Sequence, residues 1–195
     1  MIYHIDRMTV MMFRIIDNPV AGYLLGSFLL AFICVVIGQT TYGLAWKWNR
    51  RWLQRDNDSM INMHNLSLRA LSFKDKSAYK ACNKEANDAF GKYFFAQIAM
   101  GLASLWPVPF ALAWMDMRFG AVIFKTLVPL PGIGDTVGYT ASFIPMYILT
   151  YILFSQVKHR LPFFGTLRRQ MASDTAAAPA MMSLDDIYRR QPPAA

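Results

Sequence analysis

Residues 21–43, AGYLLGSFLLAFICVVIGQTTYG, are 23 consecutive positions without an aspartate, glutamate, lysine or arginine. As a helix rising 1.5 Å per residue, a run of this length spans roughly 34 Å, enough to cross a hydrocarbon layer about 30 Å thick. Two further runs are equally free of charge: residues 93–115, YFFAQIAMGLASLWPVPFALAWM, and residues 138–157, GYTASFIPMYILTYILFSQV. Water-soluble folds do not need three such stretches, and a bilayer does. The chain therefore reads as an all-α membrane protein with three transmembrane helices. Only 16% of its residues are charged, against about 25% in an ordinary soluble domain, and all of them fall between or outside the three runs.

The spans are placed at 19–46, 93–115 and 138–157. Aromatics at both ends of the second (Tyr93, Phe94, Trp114) suit interfacial anchoring, while Pro107 and Pro109 should kink it or unwind a turn. Residues 1–18 mix Asp6, Arg7, Arg14 and Asp17 with Ile2, Ile5, Met8, Met12, Phe13 and Ile16. They read as an amphipathic, interfacial segment rather than a cleaved signal peptide. The segment GAVIFKTLVPLPGIG within 119–134 is short, carries Lys125 and is interrupted by Pro129, Pro131 and Gly132. It reads as an interfacial or re-entrant part of an outer loop, 116–137, rather than a fourth span.

The positive charges are unevenly placed. Ten basic residues lie between the first and second runs and six after the third, which is 16 of the 20 in the chain. The positive-inside rule makes those segments cytoplasmic, with the N-terminus outside and the C-terminus inside, as an odd number of spans requires. The expected location is the cell (cytoplasmic) membrane, or the ER membrane in a eukaryote. The outer segments balance, so the net charge of +8 belongs to the cytoplasmic side, where anionic lipid headgroups attract it. Nucleic acid is not needed to explain the pI and is not expected as a partner.

The polar segment 47–92 has no proline, and its only glycine is Gly91. It predicts a basic helical hairpin turning at SFKDKS (residues 72–77), with Ser77 able to cap the second arm and a poor heptad register. The tail, 158–195, reads as largely disordered, apart from a helix-start pattern at SLDDIYRR with Ser183 and Asp186 as a capping pair.

Catalytic signatures are missing. His4, His64 and His159 all lie outside the spans, where they could not serve as axial haem ligands, and no span holds a charged residue for a proton path. Cys34 and Cys82 sit in an apolar run and a polar segment, and form no CxxC pair. No enzyme activity, metal or cofactor is expected. What the spans hold is neutral polarity. Gln39, Thr40, Thr41, Gln97 and Ser155 fall in the cytoplasmic half of the membrane, ringed by Lys47, Arg50 and Arg51. Interhelical hydrogen bonding is the plain reading of these groups, worth about 0.6 kcal/mol on average. A sharper reading is a shallow polar groove open to the cytoplasm, which would lower the cost of passing polar peptide into lipid. Met60 and Met63 on the hairpin would add an adaptable apolar surface.

An outside N-terminus is followed by one span leading into WKWNRRWLQRDNDSMINMHN, a returning arm KDKSAYKACNKEANDAFGKYFF, two more spans and a tail. This pattern resembles the three-span core of the YidC/Oxa/Alb insertase superfamily, in particular its short members: the archaeal YidC-like proteins, the third subunit of the ER membrane complex and the TMCO type. The resemblance covers about 45–157 and rests on topology. It implies a membrane-protein insertase or chaperone, with nascent membrane proteins as partners. Gln39, Gln97, Arg50 and Arg51 would line the groove, and Met60 and Met63 would meet the client. Many members of that family keep a basic residue well inside the first span. Here the nearest are Lys47, Arg50 and Arg51, at or beyond its end. The competing expectation is a non-catalytic accessory subunit of a larger membrane complex, respiratory or photosynthetic.

Overall fold

In a computed structural model, the structure describes residues 2–122, 124–130 and 134–186. Side chains are described at all of these except 2–5, 124–130, 134–137 and 159. In chain order the elements are α1 (Ile2–Phe13), α2 (Pro19–Ser72), α3 (Lys76–Ala103), α4 (Pro107–Phe119), β1 (Phe124–Leu130), β2 (Gly134–Val137), α5 (Tyr139–Val157), a single 3-10 turn (Lys158–Arg160) and α6 (Pro162–Ala177). Three helical segments are long and apolar enough to cross a membrane: α2, α3 together with α4, and α5. This is consistent with a multi-pass membrane protein.

Local chemistry explains the helix limits. Asn18 caps α2, its Oδ1 accepting from the amides of Val20 (3.0 Å) and Ala21 (3.2 Å), with Pro19 at the first helical position. The helix then runs unbroken for 54 residues. About 20 suffice to cross a bilayer, so α2 is long enough to extend well beyond the hydrocarbon. It ends in a Schellman arrangement, with the Asp75 amide donating to the Ala70 carbonyl and that of Lys74 to Leu71, both at 3.0 Å. Lys74 takes the left-handed position at φ 60°, which costs a non-glycine residue about 1–2 kcal/mol. Asp75 and not Ser77 caps α3: its Oδ1 accepts from the Ser77 and Ala78 amides, each at 3.0 Å. A carboxylate accepts these bonds better than a hydroxyl two residues further on, already inside the first turn.

Proline breaks the second span as its sequence predicts, and the break falls upstream of it. Residues 104–106 form a turn between α3 and α4, and α4 begins at Pro107, which has no amide hydrogen to offer the preceding turn. Pro145, by contrast, is absorbed inside α5 without ending it. Among the described residues, the loop 116–137, part of which reads as interfacial or re-entrant, contains the one departure from an all-helical fold. Within it β1 and β2 pair antiparallel, Phe124 opposite Val137 and Lys125 opposite Thr136, with an irregularity between Lys125 and Leu130. Thr126, Val128, Thr136 and Val137 are β-branched, which favours strand over helix.

The chain divides into two compact units, Met1–Gly43 with Leu102–Gly165, and Leu44–Gly101 with Thr166–Ala195. In the first, Tyr23, Ala31 and Cys34 of α2, Ala111 and Met115 of α4 and Phe143 of α5 form the buried centre. Phe13 of α1 closes one end against Tyr23, Trp114 and Phe119. A Cβ on Gly26 would meet its ring. Asp6 fixes α1 to α4, accepting from Trp114 Nε1 (3.0 Å) and Arg118 Nε (3.0 Å) and pairing with the Arg118 guanidinium. Of the amphipathic face expected for residues 1–18, Met8 is 69% exposed while Asp6 and Thr9 turn inward. Ile2 and Ile5 lie outside the described side chains.

In the second unit, Trp46, Leu53, Ile61 and Leu68 of α2, Ala86, Ala89 and Met100 of α3 and Leu167 of α6 are buried. Covered positions of α3 include Tyr79, Cys82, Ala86, Ala89, Tyr93, Ala96 and Met100, and Ala78, Asn83, Gly91 and Gln97 beside them are half-buried as well. The first seven lie three and four apart, and the flanking half-buried positions widen that face beyond a strict a/d seam. The tail differs from expectation more sharply. Residues read as largely disordered are helical over Pro162–Ala177. The stretch beyond is held by Asn65, whose Nδ2 donates to the Ala180 carbonyl (2.9 Å) and whose Oδ1 accepts from the Met182 amide (2.8 Å). The Ser183–Asp186 pair forms, the Ser183 amide donating to Asp186 Oδ2 at 2.9 Å. Residues 187–195 lie outside the described ones.

Candidate functional site

The neutral polar residues near the end of the first span are engaged within their own unit. Gln39 is 8% exposed and its Oε1 accepts from Lys158 Nζ at 3.1 Å. Burial also moves the Lys158 amine below the ordinary lysine range. Thr40 and Thr41 donate back to the Val36 (2.7 Å) and Ile37 (2.9 Å) carbonyls, and Thr41 Oγ1 accepts from Trp106 Nε1 at 3.2 Å. Ser155 Oγ donates to the Ile152 carbonyl at 2.8 Å. These hydrogen bonds satisfy part of the polarity that an open groove would use. Lys158 stands one residue beyond the third run, so a search for charge within the runs passes over it. Its amine reaches back to Gln39 because three spans bring the end of the first run and the end of the third to one side.

The other expected residues sit in the second unit. Gln97 Nε2 donates to the hydroxyl of Tyr93, one turn earlier on α3, at 2.9 Å. Met60 and Met63 are half-buried along α2. Two contiguous recesses follow the facing arms of α2 and α3. One, of about 730 Å³, is lined by Trp52, Leu53, Phe95, Ala96, Ala99 and Met100, with Asn49, Asn87, Asp88, Gly91 and Lys92 along its edge. The other, of about 620 Å³, shares Trp52, Asp88 and Lys92 and adds Arg55, Asp56, Ser59, Glu85 and Ala89. Together they form a trench graded from charged near Arg55 and Glu85 to apolar near Phe95 and Met100. Asp56 Oδ2 is buried in it without a hydrogen-bond partner. This trench is not legible from neutral polar residues in the spans. Its signal is Trp52, 48% exposed on the polar segment 47–92, together with Phe95, 68% exposed at the start of the second apolar run.

Lys47, Arg50 and Arg51 line a separate recess with Trp48, Gln54 and Gln170. Arg50 is held on both sides. Its guanidinium lies 5.7 Å from the Trp46 ring centre, and its Nε donates to Asp174 Oδ2 at 2.6 Å in a two-pronged ion pair. Arg50, with Gln54 adding a further bond, holds the Asp174 carboxyl below its ordinary 3.8. A carboxylate depressed in this way stabilises the folded arrangement at neutral pH. That contribution disappears as pH falls below 3.8 and through the lowered value. Asp174→Asn should therefore lower the hydrogen-exchange protection factors of the α6 amides at pH 7 to those that the parent chain shows only in acid. Equal exchange in the two proteins at pH 7 would show that α6 does not depend on the pair.

Among the described residues no group of three or more His, Cys, Asp or Glu side chains is placed to hold a metal. No family model matches the chain, and no curated protein or solved structure matches it either.

Proposed function

We propose that this chain is a YidC-like insertase or chaperone that holds apolar segments of other membrane proteins on its helical hairpin. The observation that carries the reading is the trench between α2 and α3, graded from charged to apolar along the arms. A segment moving along it would exchange water for Trp52 on the hairpin and then for Phe95 and Met100 at the start of the second span, which lowers the cost of desolvating its backbone. The hairpin would face the cytoplasm, with the N-terminus outside and the C-terminus inside, as the distribution of basic residues implies. The client path would then run through the hairpin rather than along Gln39, Thr40 and Thr41.

A second reading, a non-catalytic accessory subunit of a larger membrane complex, is favoured by how little of the later spans the chain covers itself. Only 22% and 17% of the apolar windows of the second and third spans are buried, so lipid or neighbouring proteins must cover the rest. One experiment separates the two. A photo-crosslinker in place of Trp52 or Phe95, activated in actively translating membranes, should capture many different nascent membrane proteins. Capture should fall when translation is stopped. Adducts to one fixed neighbour, unchanged by translation arrest, would establish the subunit reading instead.

A further inference from the structure

We infer that the recess lined by Lys47, Trp48, Arg51, Gln54 and Gln170 binds the phosphate of an anionic phospholipid headgroup. The recess has a volume of about 580 Å³. Lys47 and Arg51 are one helical turn apart and Gln54 is near the next, so all three share one face of α2. Gln170 of α6 supplies the facing wall.

Charge and depth select the ligand. Arg50, the third cation of the recess, is neutralised by Asp174. Lys47 and Arg51 are exposed and form no ion pair among the described residues, which leaves two uncompensated positive charges over one concave surface. The uncharged stretch of α2 ends at Trp46, so these cations follow it directly. Lys47 to Arg51 covers about 6 Å of helix axis, comparable to a headgroup layer of roughly 5–8 Å on each side of the hydrocarbon. Trp48 is 91% exposed. An indole in that position is unfavourable in water and favourable at the boundary between headgroups and acyl chains. A phosphate seated between Lys47 and Arg51 would also accept from the Gln54 and Gln170 amides, and its glycerol backbone would lie against Trp48. A soluble phosphate would gain nothing from the indole. The inference is independent of the client reading, because it concerns a different recess and a different ligand.

Native mass spectrometry of the full chain, released from detergent micelles, tests it with phosphatidylglycerol, phosphatidylcholine and inorganic phosphate as separate probes. The parent chain should retain one phosphatidylglycerol in preference to phosphatidylcholine. Lys47→Gln with Arg51→Gln should weaken that binding about thirtyfold, the value expected for two cations near an anionic surface. Gln170→Leu, which preserves every charge, should weaken it about fivefold through one lost hydrogen bond. Lys80→Gln with Lys84→Gln, removing the same charge from α3, should leave it unchanged. Equal loss in the Lys80 and Lys84 variant, unchanged binding in the Lys47 and Arg51 variant, or inorganic phosphate binding as tightly as the lipid would overturn the assignment.

Discussion

Gly38→Ala should destabilise the first unit by an amount at the upper end of about 1–3 kcal/mol, the usual cost of forcing extra atoms into a packed interface. The reason is geometric. A Cβ at Gly38 would lie 2.0 Å from the backbone oxygen of Ser104, in the turn that breaks the second span. A side chain in that place could rotate away, but a carbonyl held by the turn cannot. The turn would have to retreat by more than an ångström to restore an ordinary 3.4 Å contact. That movement would pull Trp106 Nε1 away from Thr41 and the Pro107 carbonyl away from Cys34 Sγ, the two polar contacts on either side of Gly38. Within a membrane, helices associate through close packing rather than through release of water, so small residues at contacts carry much of the stability. Unfolding in mixed micelles with increasing dodecyl sulfate, followed by circular dichroism, should show the transition at lower detergent fraction. Gly101→Ala is the control, since a Cβ there meets nothing within 4 Å. The same chemical change should then be neutral or raise stability by up to about 1 kcal/mol, as alanine does in a helix. Equal effects at the two positions would mean that propensity, and not the contact with Ser104, decides the outcome.

These positions show which parts of the structure one chain could disclose. The three spans were legible because a bilayer penalises every unpaired charge, and residues 21–43, 93–115 and 138–157 contain none. The continuation of α2 past the membrane was legible from the absence of glycine and proline between Leu44 and Ser72. The interruption before Pro107 followed from the missing amide hydrogen. Long-range pairing was not legible. Asp174 meets Arg50 across 124 positions, and nothing local distinguishes this aspartate in a polar tail. The covered face of α3 was hidden because alanine, cysteine and tyrosine occupy positions where leucine would announce it. Gln39 illustrates a further limit. A polar residue near the end of a span reads equally well as the wall of a groove or as an interhelical bond, and the bond that Gln39 makes depends on Lys158, 119 positions away.

Phe143→Ala should cost about 2–3 kcal/mol, less than the 3–5 kcal/mol typical of a buried phenylalanine in a soluble protein. Phe143 is fully buried among Tyr23, Ala31, Cys34, Ala111 and Met115, and stacks on Tyr147 with ring centres 6.5 Å apart. In water, truncation forfeits both the transfer of the ring out of solvent and its packing. In a bilayer the unfolded reference still lies in hydrocarbon, so the transfer contribution largely cancels and the void remains. Losing a phenyl ring opens on the order of 100 Å³, and at about 24 cal/mol per Å³ that void accounts for the expected figure. Phe143→Leu should recover most of the loss by refilling the volume. The adjacent Ile144 provides the contrast. It is 45% exposed on the outer face of α5, where acyl chains close over any vacancy, and Ile144→Ala should change stability by less than about 0.5 kcal/mol. The same dodecyl sulfate titration reads all three variants. If Ile144→Ala proved as damaging as Phe143→Ala, protein rather than lipid would have to cover that outer face, and an accessory subunit would become the better description of the chain.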